Sequence, residues 1–93
     1  MTIYIPTPLR AFANGKSEVA ISAATVADAI HVLVQTHPEL RKQILTEEGK
    51  VRAFVNLFLN DEDIRYLPAK EHTRTSANDT LSIIPSIAGG LAE

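Results

Sequence analysis

Helical spacing governs one long stretch of this chain, and alternation of apolar and polar residues flanks it on both sides. Val26, Ala29, Ile30, Leu33 and Val34 recur every three or four residues and form one apolar stripe. Thr25 offers a helix cap, with Asp28 three residues on. An aspartate there makes a weaker reciprocal capping box than a glutamate. Pro38 disfavours helix in the residue before it, so the helix is expected to stop near Thr36 or His37. The same proline can open a second, short helix over 39–45, with Leu40 and Ile44 on one face. A lone amphipathic helix must hide its stripe, and the alternating segments around it supply the sheet that can cover it.

Ile3 and Ile5 share one side of a first strand, which Pro6 disfavours continuing. The stretch 7–12 has no clear period. Asn14-Gly15 is a turn signal, and Val19 and Ile21 carry the alternation of the next strand, so a strand-turn-strand hairpin is expected. The strongest strand is read over 51–59, where Val51, Ala53, Val55, Leu57 and Leu59 alternate with Arg52, Phe54, Asn56 and Phe58. Phe54 and Phe58 on the second side imply that both faces are partly covered. Extended character is expected to resume over 62–67 after Asn60-Asp61, a polar loop to fill 68–76, and a last strand to run through Leu81, Ile83 and Pro85. This order predicts a two-layer α+β domain: a mixed sheet packed on one main helix, the ubiquitin-like β-grasp arrangement. It is assigned to residues 1–86, with 87–93 as a flexible tail.

With 93 residues, the chain has apolar material for one modest core and none for a second. A formal net charge of -2 argues against a dedicated nucleic-acid binder. Cysteine is absent, which excludes disulfides, thiolate metal sites and thiol catalysis by this chain. No basic leader precedes an apolar run, and no apolar run reaches bilayer length, so a cytoplasmic protein without membrane partners is expected.

The polar residues do not assemble a catalytic pattern. His31 and His37 are six apart and do not face one another on a helix, and His72 falls in a separate loop. Glu47-Glu48 and Asp61-Glu62-Asp63 read as solvated turns, because acid–base chemistry needs a cleft that moves one pKa. Arg10, Lys16, Arg41, Lys42, Lys50, Arg52, Arg65, Lys70 and Arg74 are scattered basic residues, and partner recognition suits some of them better than nucleic-acid binding. Chemistry is expected instead at the end of the chain, where Ile87-Ala88-Gly89-Gly90 precedes Leu91-Ala92-Glu93. Glycines there contribute no apolar burial and lose much backbone entropy when ordered. A bare main chain suits a segment that another protein threads through a narrow channel, with Ile87 as an apolar anchor.

Two segments, 52–65 and 78–90, together with the strand order, resemble the ubiquitin-like sulfur carriers of the ThiS/MoaD superfamily. Residues 52–65 resemble the branch that supplies sulfur for cysteine synthesis more than the thiamine or molybdopterin branches. Residues 78–90 resemble the superfamily's ending. The resemblance implies that the chain is no enzyme but a protein co-substrate. Its Gly90 carboxylate would be adenylated by a ubiquitin-activating-type enzyme and converted to a thiocarboxylate that donates sulfur. Ile87, Ala88 and Gly89 would thread and be recognised. A PLP-dependent cysteine synthase-like acceptor is implied for the cysteine branch. ATP and PLP would belong to these partners and no cofactor to this chain. Leu91-Ala92-Glu93 departs from the mature pattern, because it ties up the Gly90 carboxylate as a peptide bond. Cleavage between Gly90 and Leu91 by a JAMM-type zinc metalloprotease is therefore expected. Sulfur delivery to molybdopterin or thiamine synthesis, and conjugation of Gly90 to target lysines, are the alternatives.

Overall fold

The computed structural model describes residues 1–85. The expected tail over 87–93 lies outside the described residues. Five strands form one sheet: β1 (Thr2–Tyr4), β2 (Glu18–Ala20), β3 (Val55–Leu59), β4 (Glu62–Asp63) and β5 (Thr80–Pro85). The spatial order is β2-β1-β5-β3-β4. β1 pairs with β2 antiparallel and with β5 parallel, and β5 pairs antiparallel with β3. The first and last strands thus meet at the centre of a mixed sheet, with α1 (Val26–Thr36) crossing between β2 and β3. This is the β-grasp arrangement expected from the order of elements.

The helical stripe does what its spacing demands. Val26, Ala29, Ile30, Leu33 and Val34 are all buried. Thr25 caps α1 by accepting the Asp28 backbone N–H at 3.1 Å. Ile3, Val55, Leu57, Leu59, Leu81 and Ile83 present the sheet's inner side to it. Pro38 begins a 3₁₀ turn (Pro38–Leu40) that runs into α2 (Arg41–Ile44), and Leu40 and Ile44 fill the core as their spacing predicts.

Three segments differ from the sequence reading. β1 and β2 pair as a hairpin, but their connection holds a 3₁₀ helix (Thr7–Ala13) before the Asn14-Gly15 turn. Leu9 and Ala13 are buried from it, which is why the stretch shows no strand period. Asn14 and Gly15 both take positive φ, 56° and 78°, the region that asparagine and glycine enter most cheaply.

The strand expected over 51–59 shortens to β3. The Val55 N–H donates to the Arg52 carbonyl at 2.9 Å and closes a turn over 53–54, where β3 begins. Upstream, Val51 bridges Leu45 instead, and the Arg52 backbone N–H donates to the Ile44 carbonyl at 2.9 Å. Extended structure over 62–67 likewise shortens to β4. The Asp63 carboxylate accepts the Arg65 backbone N–H at 2.9 Å and caps a 3₁₀ turn (Ile64–Tyr66). The polar loop over 68–76 contains a 3₁₀ turn (Lys70–His72) and clamps the start of α1. Val26 N–H donates to the Thr73 carbonyl at 3.1 Å, and Thr75 Oγ1 to the Ala23 carbonyl at 2.8 Å.

Candidate functional site: the root of the C-terminal tail

Ile87, Ala88, Gly89, Gly90 and Leu91 lie outside the described residues, so the site is built here from the platform that delivers them. β5 is the sheet's central strand, held on one side by β1 and on the other by β3. Leu81 and Ile83 point into the core, at 0% and 2% exposure. The intervening residues face away from α1, because side chains alternate along a strand. Ile84 is therefore on the outer side, 45% exposed, one residue before the last described position.

Ile84 has apolar company. Tyr4 pairs with Ser82 in parallel register and is 46% exposed. Phe58, half-buried, faces Ser82 from β3. Phe54 is 48% exposed and precedes the Val55–Pro85 pair. The end of the sheet from which the chain continues toward Gly90 thus carries exposed apolar side chains on its outer side. Single exposed apolar residues are ordinary, but a group of them is a candidate docking surface. Sequence reading noted Phe54 and Phe58 but not Tyr4 and Ile84. The register of β1 against β5, which no local pattern encodes, places those two on the same side.

The sheet end opposite the tail is pinned by polar contacts. Asn60 Nδ2 donates to Asp79 Oδ1 at 2.8 Å, and Asn60 Oδ1 accepts the Thr80 N–H at 2.9 Å. Asp79 Oδ2 also accepts the Ser76 N–H at 2.8 Å. These hydrogen bonds, the Asn60 amide first, hold the Asp79 carboxyl below the usual range. Asp63 is held low by Arg65, whose guanidinium grips both carboxylate oxygens at 2.7–3.2 Å. Of the carboxylates read as solvated turns, Glu47, Glu48, Asp61 and Glu62 are exposed, while Asp63 is buried in this pair.

The histidines remain apart. His31 is exposed on α1 and His72 is exposed beside Glu71 at 3.6 Å. His37 is buried at the end of α1, where its backbone N–H closes the helix on the Leu33 carbonyl. Among the described residues no three metal-ligating side chains converge, and no helix is long and apolar enough to cross a membrane.

Comparison with known proteins gives this platform a context. The sequence profile of the ThiS family matches residues 3–90. The chain is 32% identical over 92 residues to the sulfur carrier protein CysO of Mycobacterium tuberculosis, covering 97% of this chain and 98% of that one. Its fold superimposes on CysO in the crystal structure of the Amycolatopsis orientalis BexX/CysO complex with a TM-score of 0.84. That match has 35% identity and covers 96% of this chain and 98% of the other. It also superimposes on the small archaeal modifier SAMP1 of Haloferax volcanii, with a TM-score of 0.82, 29% identity and coverage of 97% and 98%. On sequence and fold together, the chain belongs to the ThiS family of ubiquitin-like sulfur carriers.

Proposed function

We propose that this protein carries sulfur for cysteine biosynthesis as a thiocarboxylate on Gly90, after removal of residues 91–93. The observation that carries the reading is where the family match stops: it runs to residue 90, the second glycine, and the chain continues for three residues more. Identity to CysO supports the cysteine branch. The chemistry starts from a poor electrophile. A carboxylate oxygen of Gly90 attacks the α-phosphate of ATP on a ubiquitin-activating-type enzyme, and pyrophosphate leaves. A sulfur donor then displaces AMP from the acyl carbon, which leaves a thiocarboxylate. On an acceptor enzyme whose PLP would supply the electron sink, the thiocarboxylate sulfur would bond to the β-carbon of an O-activated serine while its β-oxygen group leaves. An acyl shift from sulfur to the amine and hydrolysis release cysteine and restore the Gly90 carboxylate. This chain contributes the nucleophilic carboxylate, a backbone without side chains at Gly89 and Gly90, and the apolar platform around Ile84.

ATP–pyrophosphate exchange with the activating enzyme tests the reading. A chain ending at Gly90 is expected to support exchange. The 93-residue chain is expected to fail until a JAMM-type zinc protease cuts after Gly90. Intact mass after a full cycle with a sulfur donor should then rise by about 16 Da, oxygen replaced by sulfur at one group. Equal exchange by the two chains would sink the processing step. A second reading draws on the likeness to SAMP1: conjugation of Gly90 to lysines of target proteins. A ladder of isopeptide-linked species in cells, lost when the chain is truncated before Gly89, would favour it.

A further inference from the structure

The chain's basic residues look scattered in sequence, yet the fold gathers several of them. His31, Arg41, Lys50, Arg52 and Arg65 surround one cleft of about 940 Å³, in which Glu71 is the one acidic lining residue among those described. The cleft lies on the helix side of the sheet, between α1 and the loop after α2. Its floor is apolar: Val26, Ile30, Leu45 and Val55 are buried beneath it, and Val51 is half-buried at its side. Arg65 is neutralised by Asp63. Arg41, Lys50 and Arg52 have no carboxylate within ion-pair distance among the described residues.

The rim is built rather than loose. Thr46 N–H donates to the Lys50 carbonyl at 2.7 Å, Gly49 N–H to the Thr46 carbonyl at 2.9 Å, and Lys50 N–H to Thr46 Oγ1 at 3.2 Å. Arg52 Nε donates to the Lys42 carbonyl at 2.8 Å, which orients the guanidinium before any ligand arrives. Pre-ordering of this kind lowers the entropic cost of binding. Three uncompensated cations over an apolar floor, on a molecule of net charge -2, make a local inversion of sign. Its complement is negative at the edges and apolar at the centre. A nucleic-acid backbone matches the rim but not the floor, and the overall charge repels it.

We infer that this cleft is a docking groove for an acidic segment of a partner protein that inserts one apolar side chain between Arg41, Lys50 and Arg52. Position makes the groove compatible with sulfur transfer. Val55 lines it and is the register partner of Pro85, whereas Tyr4 and Ile84 lie on the opposite side of the sheet. A protein seated in the groove leaves the outer platform open, so one partner can stay bound while another handles the tail.

NMR on the isotopically labelled 93-residue chain tests this without any chemistry at Gly90, so its failure leaves the sulfur-carrier reading intact. The probe is a short capped peptide of glutamates flanking one leucine. Saturable shifts are expected at the amides of Arg41, Lys50 and Arg52 and at the methyls of Val26 and Ile30. Binding should weaken with added salt. It should weaken about tenfold or more when the peptide's leucine is replaced by glycine. The double variant R41E/K50E, both positions exposed, should lose the shifts and keep its unfolding midpoint. No saturable shift, shifts mapping to Tyr4 and Ile84, or shifts indifferent to charge reversal would each overturn the inference. So would tighter binding of a uridine oligonucleotide at the same residues, or slower diffusion of the carrier alone on concentration, which would mark a second copy as the occupant.

Discussion

Asp63 accepts hydrogen bonds from the backbone and the guanidinium of Arg65 while itself nearly out of solvent. Asp79 does comparable work between Asn60 and Ser76. Both carboxyls are held below their ordinary values, so the folded state favours the charged form. The sign follows from linkage. Their contribution is complete above the unfolded value, about 3.9 for aspartate, and fades as pH falls through the lowered folded values. In urea titrations D63N and D79N are therefore expected to lower stability at neutral pH and to flatten the acid limb of stability against pH. An acid limb identical to wild type would show that the hydrogen bonds carry no linkage. These roles were only half legible in the sequence. An aspartate two residues before an arginine is a local signal for a capped turn, but the Asn60–Asp79 contact depends on two strands meeting. His37 is similar: its place at the helix end follows from Pro38, while its burial depends on what packs over that end.

The helix is the element that sequence describes best, because a stripe at helical spacing, a threonine cap and a stopping proline are all local. Thr25→Ala should cost about 1 kcal/mol by leaving the Asp28 N–H without its acceptor. Leu33→Ala, at a position with no exposed surface, should cost about 2–5 kcal/mol by opening a cavity between α1 and the sheet. Chemical denaturation measures both, and equal costs would mean that α1 is not packed as described. Strands were read less well, and the two that differ most, over 51–59 and 62–67, were read too long. Apolar alternation persists through Val51 and Ala53, but a strand needs a neighbour as well as a pattern. Val51 finds its place against Leu45 and at the side of the cleft, and the turn closed by the Val55 N–H on the Arg52 carbonyl separates it from β3. Over 62–67 the capping side chain of Asp63 offered the backbone a closer partner than a longer ladder with β3 could.

At the scale of the molecule, the fold puts the apolar group around Ile84 and the basic cleft, the two proposed recognition surfaces, on opposite sides of one sheet. Ile84→Arg should leave stability within about 0.5 kcal/mol, since the side chain points outward. It should raise the KM of the activating enzyme for this carrier about tenfold or more, by removing one apolar contact from a partner interface. An unchanged KM would place enzyme recognition elsewhere. The two glycines and the tripeptide after them form a linear signal, which puts the proposed reactive end in the sequence alone, outside the described residues. Neither surface was legible there, since each gathers residues that lie far apart along the chain. The position of β5 has a mechanical consequence. A partner enzyme that drew on the chain beyond Pro85 would pull along the axis of a strand bonded on both flanks, to β1 and to β3. Such a load falls on both ladders at once, in shear, instead of peeling one bond at a time. A carrier loaded at Gly90, as proposed, would be tugged by its cargo and released still folded, ready for the next load.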